Sequence, residues 1–200
     1  MSVVLDILDG TEDLSRFKHP LTYNGKMIVG NKMKFNGIDA SINCGKRSSL
    51  NNRSALFLAC WINIISASDY DSIFYRVNNQ YETYILDEAG ASWSANFHFR
   101  INSVNETAVI KTGLIYGTWY YWVVVYDDPY IIGYINGNEE IKYLTGGGDL
   151  IDVSASDLLL MENSGISTFS NGFLKDVKQD NDILIPNYIK DYYEKTEKFY

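Results

Sequence analysis

Scarcities narrow this chain before any motif does. It has two cysteines, three prolines and two histidines in 200 residues, and its longest apolar runs, 55–62 and 119–126, are short. A membrane-spanning helix needs about 20 consecutive apolar residues, so membrane insertion is not expected. The first six residues, Met1 to Asp6, have no basic start and meet an acid within their first apolar stretch, so they do not read as a signal peptide. Basic residues are also short: 17 Lys and Arg face 25 Asp and Glu, a formal net charge of −8. Such a surface offers little to phosphate backbones or anionic lipid, which removes nucleic acid as a partner.

Catalytic constellations are missing too. His19 and His98 have no cysteine or acid at metal-ligand spacing, and no Gly-x-Ser-x-Gly elbow or phosphate-cradling glycine loop occurs. Glycosidases use two carboxylates about 5–10 Å apart, commonly acids at alternating strand positions. Two positions beyond Glu82, Glu88 and Glu162 stand Tyr84, Gly90 and Ser164. Asp69 and Asp71 alternate, but in a polar stretch that reads as loop, and Glu139 and Glu140 are adjacent, so they face opposite ways. The chain is not expected to be an enzyme. Cys44 and Cys60 are too few for a disulfide framework. A pair can be a lone bridge or two buried thiols, and two reduced core thiols is the expectation, since nothing else points to secretion.

What the chain does have is aromatic surface: 16 Tyr, 9 Phe and 4 Trp, residues that suit pleated, half-buried strands. Short strand-like runs lie at 26–29, 32–35, 40–43, 55–62, 72–77, 81–86, 93–101, 107–111, 119–126, 131–135, 140–143, 157–161 and 172–178. Four Asn-Gly dipeptides, at Asn24, Asn36, Asn136 and Asn171, predict hairpin turns throughout. Phe97, Phe99 and Ile101 alternate with His98 and Arg100, the period of a strand with one wet face. Residues 122–126 are apolar in succession, as in a strand covered on both faces or one carrying an exposed apolar stripe, and burial on both faces is the expectation. After Pro186, the residues Tyr188, Ile189, Tyr192, Tyr193 and Phe199 recur near helical spacing, which predicts a short amphipathic helix over 187–200. No linker or repeat divides the chain. The prediction is one all-β domain over 1–200, a two-sheet antiparallel jelly-roll sandwich with a short C-terminal helix, able to bury roughly 70% of the surface its unfolded form exposes.

Three groups of residues carry a family resemblance. The first is Phe35-Asn36-Gly37, the run 40–44, Leu50 and the strand 56–62 containing Trp61. The second is Trp119-Tyr120, the Val-rich 123–125, Tyr126-Asp127 and Tyr134-Ile135-Asn136-Gly137. The third is the strand 172–177 with the tail that ends Phe199-Tyr200. In this order they resemble the laminin-G-like, concanavalin-A-like jelly-roll family over roughly residues 5 to 200. These are mostly core and turn positions, so the resemblance carries fold further than activity. The family often has a His where this chain has Tyr121 and an acid where it has Lys175.

The resemblance implies a binding or adhesion module without catalysis, glycan recognition being the use such a scaffold invites. Aromatic residues with amide or carboxylate neighbours would meet a sugar, which selects Tyr70, Tyr81, Trp93 and Asn96. Related jelly rolls often hold one structural calcium in rim loops, and Asp39 and Asp176 occupy the matching turn and closing strand. The expected partner is a glycan or a protein in a larger surface or virion assembly, with homo-oligomerisation as one route to it. The alternative is a purely structural subunit of a virus or phage particle, a capsid decoration or tail component, that binds no sugar.

Overall fold

The computed structural model describes residues 3–7, 12–25, 27–29, 32–46, 48–50, 54–76, 80–88, 90–151, 156–182 and 186–200. Of the sequence expectations, Lys26 and Val77 lie outside them. In chain order the strands begin with β1 (Val3–Ile7), β2 (Thr22–Asn24), β3 (Met27–Val29), β4 (Lys32–Asn36) and β5 (Ser41–Asn43). They continue with β6 (Ala55–Ser66), β7 (Asp71–Arg76), β8 (Tyr81–Glu88), β9 (Ser92–Ile101), β10 (Val104–Ile115) and β11 (Trp119–Asp127). The last are β12 (Tyr130–Ile135), β13 (Asn138–Leu144), β14 (Leu158–Leu160), β15 (Glu162–Asn163), β16 (Thr168–Phe169) and β17 (Asn171–Asp180). Helix α1 (Pro186–Thr196) and a 3-10 turn, Glu197–Phe199, close the chain.

Two antiparallel sheets pack face to face. The first has the order β13-β12-β11-β6-β17-β4-β3, with β1 also paired to β17, and the second β10-β9-β8-β7-β14-β5-β2. Between them lies a core that includes Phe35, Leu58, Trp93, Phe97, Phe99, Trp122, Tyr126, Leu160 and Val177. The hydroxyl of Tyr81, from the second sheet, crosses this core to donate to Gln179 Oε1 of β17 at 3.0 Å, while Gln179 Nε2 donates to the Leu50 carbonyl at 3.1 Å. A buried polar bridge of this kind fixes how the sheets sit on each other, because shifting either would strand its partner without a hydrogen bond. Cys44 and Cys60 are buried free thiols, and burial pushes both thiol pKa values up, away from the reactive thiolate.

The apolar run at 122–126 is covered on both faces. Trp122, Val124 and Tyr126 enter the core between the sheets. Tyr121, Val123 and Val125 point the other way and, with Phe57, Ala59, Trp61 and Tyr134, form the seat of α1, into which Ile189 inserts. Pro186 opens the helix, where its fixed φ and missing N–H suit a first turn. Aromatic rings lock the seat: Trp61 stacks on Tyr200 at 4.2 Å and on Tyr193 at 5.7 Å. No helix among the described residues is long and apolar enough to cross a membrane.

The Asn-Gly dipeptides behave less uniformly than expected. Only Asn136-Gly137 forms a tight hairpin, between β12 and β13, with φ of 52° and 76°. Asn24-Gly25 and Asn36-Gly37 instead mark places where the chain leaves one sheet for the other, since β2 and β5 belong to the second sheet and β3 and β4 to the first. Asn171-Gly172 opens β17; a Cβ on Gly172 would lie 2.3 Å from the Asn63 carbonyl oxygen, so glycine is required there by close backbone approach. Conversely, the β9–β10 hairpin turns on Asn102 and Ser103, with φ of 46° and 67° and no glycine.

Candidate functional site

With α1 over the outer face of the first sheet, the other outward surface is that of the second; strand parity decides which side chains belong to it, and Ser72, Tyr75, Glu82, Tyr84, Ser94 and Asn96 among them are buried. On β9 the inward set is Trp93, Ala95, Phe97, Phe99 and Ile101, all in the core, which leaves Ser94, Asn96, His98 and Arg100 facing out. On β8, Tyr81 and Ile85 are inward, leaving Glu82 and Tyr84 outward. Antiparallel register then assembles rows across the strands. One row reads Ser72, Tyr84, Asn96, Val109; the next reads Tyr75, Glu82, His98, Thr107; Arg100 and Asn105 begin a third.

Glu82 is the centre of this face. It is only 7% exposed, and its Oε1 accepts hydrogen bonds from the Ser72 hydroxyl and from Asn163 Nδ2, the latter at 2.8 Å. Asn163 belongs to the β15–β16 hairpin, which lies against β7 and roofs part of the face. Burial raises the Glu82 carboxyl above its ordinary value, while the bonds from Ser72 and Asn163 and the nearby His98 pull it back. An unfolded glutamate titrates near 4.5, so the folded chain holds this proton to higher pH. The associated stability is complete below that value and is lost as pH rises through the folded one. Glu82→Gln keeps an acceptor for Ser72 and Asn163 while fixing the neutral form. The variant is expected to show a flatter decline of melting temperature than the parent as pH rises above about 4.5; superimposable pH profiles would show that Glu82 contributes none of it.

Beside Glu82 stands a pair of rings. Tyr70 is 53% exposed and stacks on Tyr84 at 5.5 Å with an interplanar angle of 24°. Its backbone is left-handed, φ 65°, a conformation unusual for a bulky residue and held here by its surroundings. Ser68 donates from its backbone and hydroxyl to the two Asp71 oxygens at 2.9 and 2.6 Å, and Thr168 Oγ1 donates to the Tyr70 carbonyl at 3.2 Å. A polar cleft of about 330 Å³ adjoins this loop, lined by Asn36, Ser66, Ser68, Asp71, Phe169 and Asn171 among others.

The four proposed sugar contacts therefore separate. Tyr70 and Asn96 share the outer face, joined through Tyr84. Tyr81 and Trp93 are 0% exposed and face the core, so neither ring can meet a ligand; parity places them with the inward apolar set. Asn96 is itself buried, its Nδ2 donating to Ser94 O and Oγ at 3.0 Å, so it supports the floor of the face. Glu82, Tyr84 and His98 were not selected from sequence, although the alternation along β9, continued across one ladder, points to them.

Asp39 and Asp176 do not form one ion site. Asp39 is exposed in the turn after β4, where its Oδ1 accepts from Asn36 Nδ2 at 2.7 Å. That turn abuts Asn171, and Asp176 lies five strand residues further on, about 16 Å along β17. Asp176 turns instead to the C-terminal helix, where its Oδ2 accepts from the hydroxyls of Tyr192 at 3.2 Å and Tyr200 at 2.9 Å. Among the described residues no group of three or more His, Cys, Asp or Glu side chains is placed to hold a metal.

Solved structures share this architecture. The binding domain of Paraclostridial Mosquitocidal Protein 1 superposes with a TM-score of 0.77 at 15% identity, over 97% of this chain and 52% of that one. The receptor binding domain of the botulinum neurotoxin C/D mosaic serotype gives 0.73 at 12%, over 97% and 51%. The chain thus spans about half the length of these toxin domains. Domain 4 of an extracellular arabinanase from Geobacillus stearothermophilus, solved in complex with arabinotriose, gives 0.63 at 14%, over 86% and 80%. No curated protein matches the sequence. A laminin-G family model, described as the concanavalin A-like lectin/glucanases superfamily, matches residues 36–189, and the chain belongs to that family.

Proposed function

We propose that the chain is a glycan-binding module without catalysis, working through the outer face of the second sheet as part of a larger surface assembly. The observation that carries this reading is the exposed ring of Tyr70, stacked on the buried Tyr84 beside the polar rows of Glu82, His98 and Asn96. A ring face meets the C–H surface of a pyranose while neighbouring donors and acceptors fix its hydroxyls. The same rows weigh against hydrolysis. Glu82 is flanked across its ladders by Tyr75 and His98, and no second carboxylate stands in either row to complete an acid pair. The fold neighbours give further support, since one is a receptor binding domain and another was solved with arabinotriose.

A shallow face of this kind binds a single sugar at about millimolar strength, near −4 kcal/mol, and multivalent display adds roughly 10²–10⁴ in avidity. The test is a glycan array probed with a tetravalent form of the chain. Tyr70→Ala changes an exposed ring and is expected to weaken captured glycans about tenfold at an unchanged melting temperature. Absence of glycan capture at every display density would overturn the reading, and co-assembly with virion proteins in its place would favour the structural subunit.

A further inference from the structure

We propose that the chain forms a two-fold dimer in which the outer edge of β10 pairs antiparallel with the same edge of a second copy. The pairing needs nothing from the sugar reading of the neighbouring face and goes beyond it.

A strand at the end of a sheet presents backbone donors and acceptors that another strand can take up, and folded chains blunt such edges with short strands, charges, bulges or a covering loop. The sheet ends here use these devices with one exception. Strands β2 and β3 have three residues each. The rim of β1 is covered: the Asp6 N–H donates to Asp13 Oδ1 at 3.0 Å, and the Asp6 carbonyl accepts from the Leu14 N–H at 2.7 Å. Strand β13 carries Glu139, Glu140 and Lys142 and pairs with β12 through a register shift. Strand β10 ends the second sheet. Its last part is guarded too, by register shifts after Val109 and Lys111, with the Gly113 and Ile115 N–H groups donating to Glu88 Oε2 and the Tyr120 hydroxyl. From Val104 to Val109 the guard lapses. These six residues pair with β9 in unbroken register, Glu106 is the one charge among them, and Val104 and Val109 are 57% and 47% exposed.

The alternation of the ladder decides which backbone groups face outward. The Arg100 N–H donates to the Gln80 carbonyl at 3.0 Å, on the β8 side. Its partner Asn105 therefore turns its own N–H and C=O away from β9, and Thr107 and Val109 follow at the two-residue period. Among the described residues no further strand pairs with that side of β10. An antiparallel copy centred on Thr107 sets Thr107 against its own twin and Asn105 against Val109, which engages all three residues in about six main-chain hydrogen bonds. Every other register engages fewer. The same register favours an identical strand as the occupant: Thr opposite Thr is a good cross-strand pair, and Glu106 falls opposite Ala108, so like charges are not opposed. The Tyr143 hydroxyl donates to the Glu106 carboxylate at 3.0 Å. A two-fold axis through Thr107, perpendicular to the sheet, joins two seven-stranded sheets into one and keeps both outer faces on the same side, each with its exposed Tyr70 ring.

The experiment is sedimentation velocity of the full chain over a wide range of concentration. A concentration-dependent species of twice the 22.8 kDa chain mass is expected. Thr107→Pro removes an N–H that points away from β9 and so spares the ladder; it should raise the dissociation constant about tenfold or more. Thr107→Lys keeps the N–H but sets like charges face to face across the axis. It should weaken the dimer in the same way, and it is the variant to read if proline lowers the melting temperature. Thr107→Cys should link two copies under mild oxidation, because paired Cα atoms about 5.5 Å apart suit a disulfide, and Cys44 and Cys60 are buried out of reach. Asn105→Cys, which faces Val109 of the other copy, should not link. A chain that stays monomeric at every concentration overturns the proposal and leaves the edge to an extended strand of another protein. A dimer that neither Thr107→Pro nor Thr107→Lys weakens, or that links as readily through Asn105→Cys, overturns it as well.

Discussion

Trp93→Ala is expected to lower the melting midpoint by on the order of 10 °C. Loss of a large core aromatic costs about 3–5 kcal/mol, and a chain of this length shifts by about 2–4 °C for each kcal/mol. The ring is fully buried. It meets Tyr120 edge-on at 5.8 Å and Trp122 at 6.1 Å, so its removal opens a void where the two sheets press together. Thermal unfolding followed by circular dichroism measures the effect, and a shift below about 2 °C would mean that the ring is not in the core. Loss of sugar capture in this variant would report unfolding, which is why the exposed Tyr70 is the informative position.

The second large effect belongs to the helix seat. Trp61→Ala is expected to cost about 3–5 kcal/mol and to release the last 15 residues to proteases. Trp61 touches the tail at several points: it stacks on Tyr193 and Tyr200, and its Nε1 donates to Thr196 Oγ1 at 3.2 Å. Helix α1 itself buries only Ile189 fully, and the remaining holds on the tail are Tyr121 against Tyr192, Trp119 against Tyr200 and the tyrosine hydroxyls on Asp176. Limited trypsin digestion read by mass spectrometry gives the outcome: early cleavage at Lys190, Lys195 or Lys198 in the variant and not in the parent. Equal cleavage rates would place the helix's hold elsewhere.

Sequence reading succeeded where periodicity acts over a whole element. The unbroken apolar character of 122–126 identified a strand buried on both sides, and the spacing from Tyr188 to Phe199 identified the helix that covers one of them. It misplaced Tyr81 and Trp93 because aromatic residues near Asn and Gln were weighed by composition, while their positions in the two-residue period, with Ile85 and with Ala95, Phe97 and Phe99, assign them inward. The Asn-Gly signal overreached for a different reason. Positive φ serves any sharp reversal, and two of the four dipeptides carry the chain between sheets. The hydrogen-bond partners of Glu82 could not be read from spacing. Ser72 and Asn163 are 10 and 81 residues away, joined by ladder register and by a hairpin folded over the face.

The helix also gives the molecule a back and a front. Because α1 blankets the first sheet, everything exposed on the second points the opposite way, across two layers stacked about 10 Å apart. A linker attached at Lys190, whose side chain is 62% exposed, would fasten the molecule to a bead or sensor chip by its back. Copies anchored so would all turn their tyrosine platforms outward, an orientation that random coupling through surface lysines cannot give.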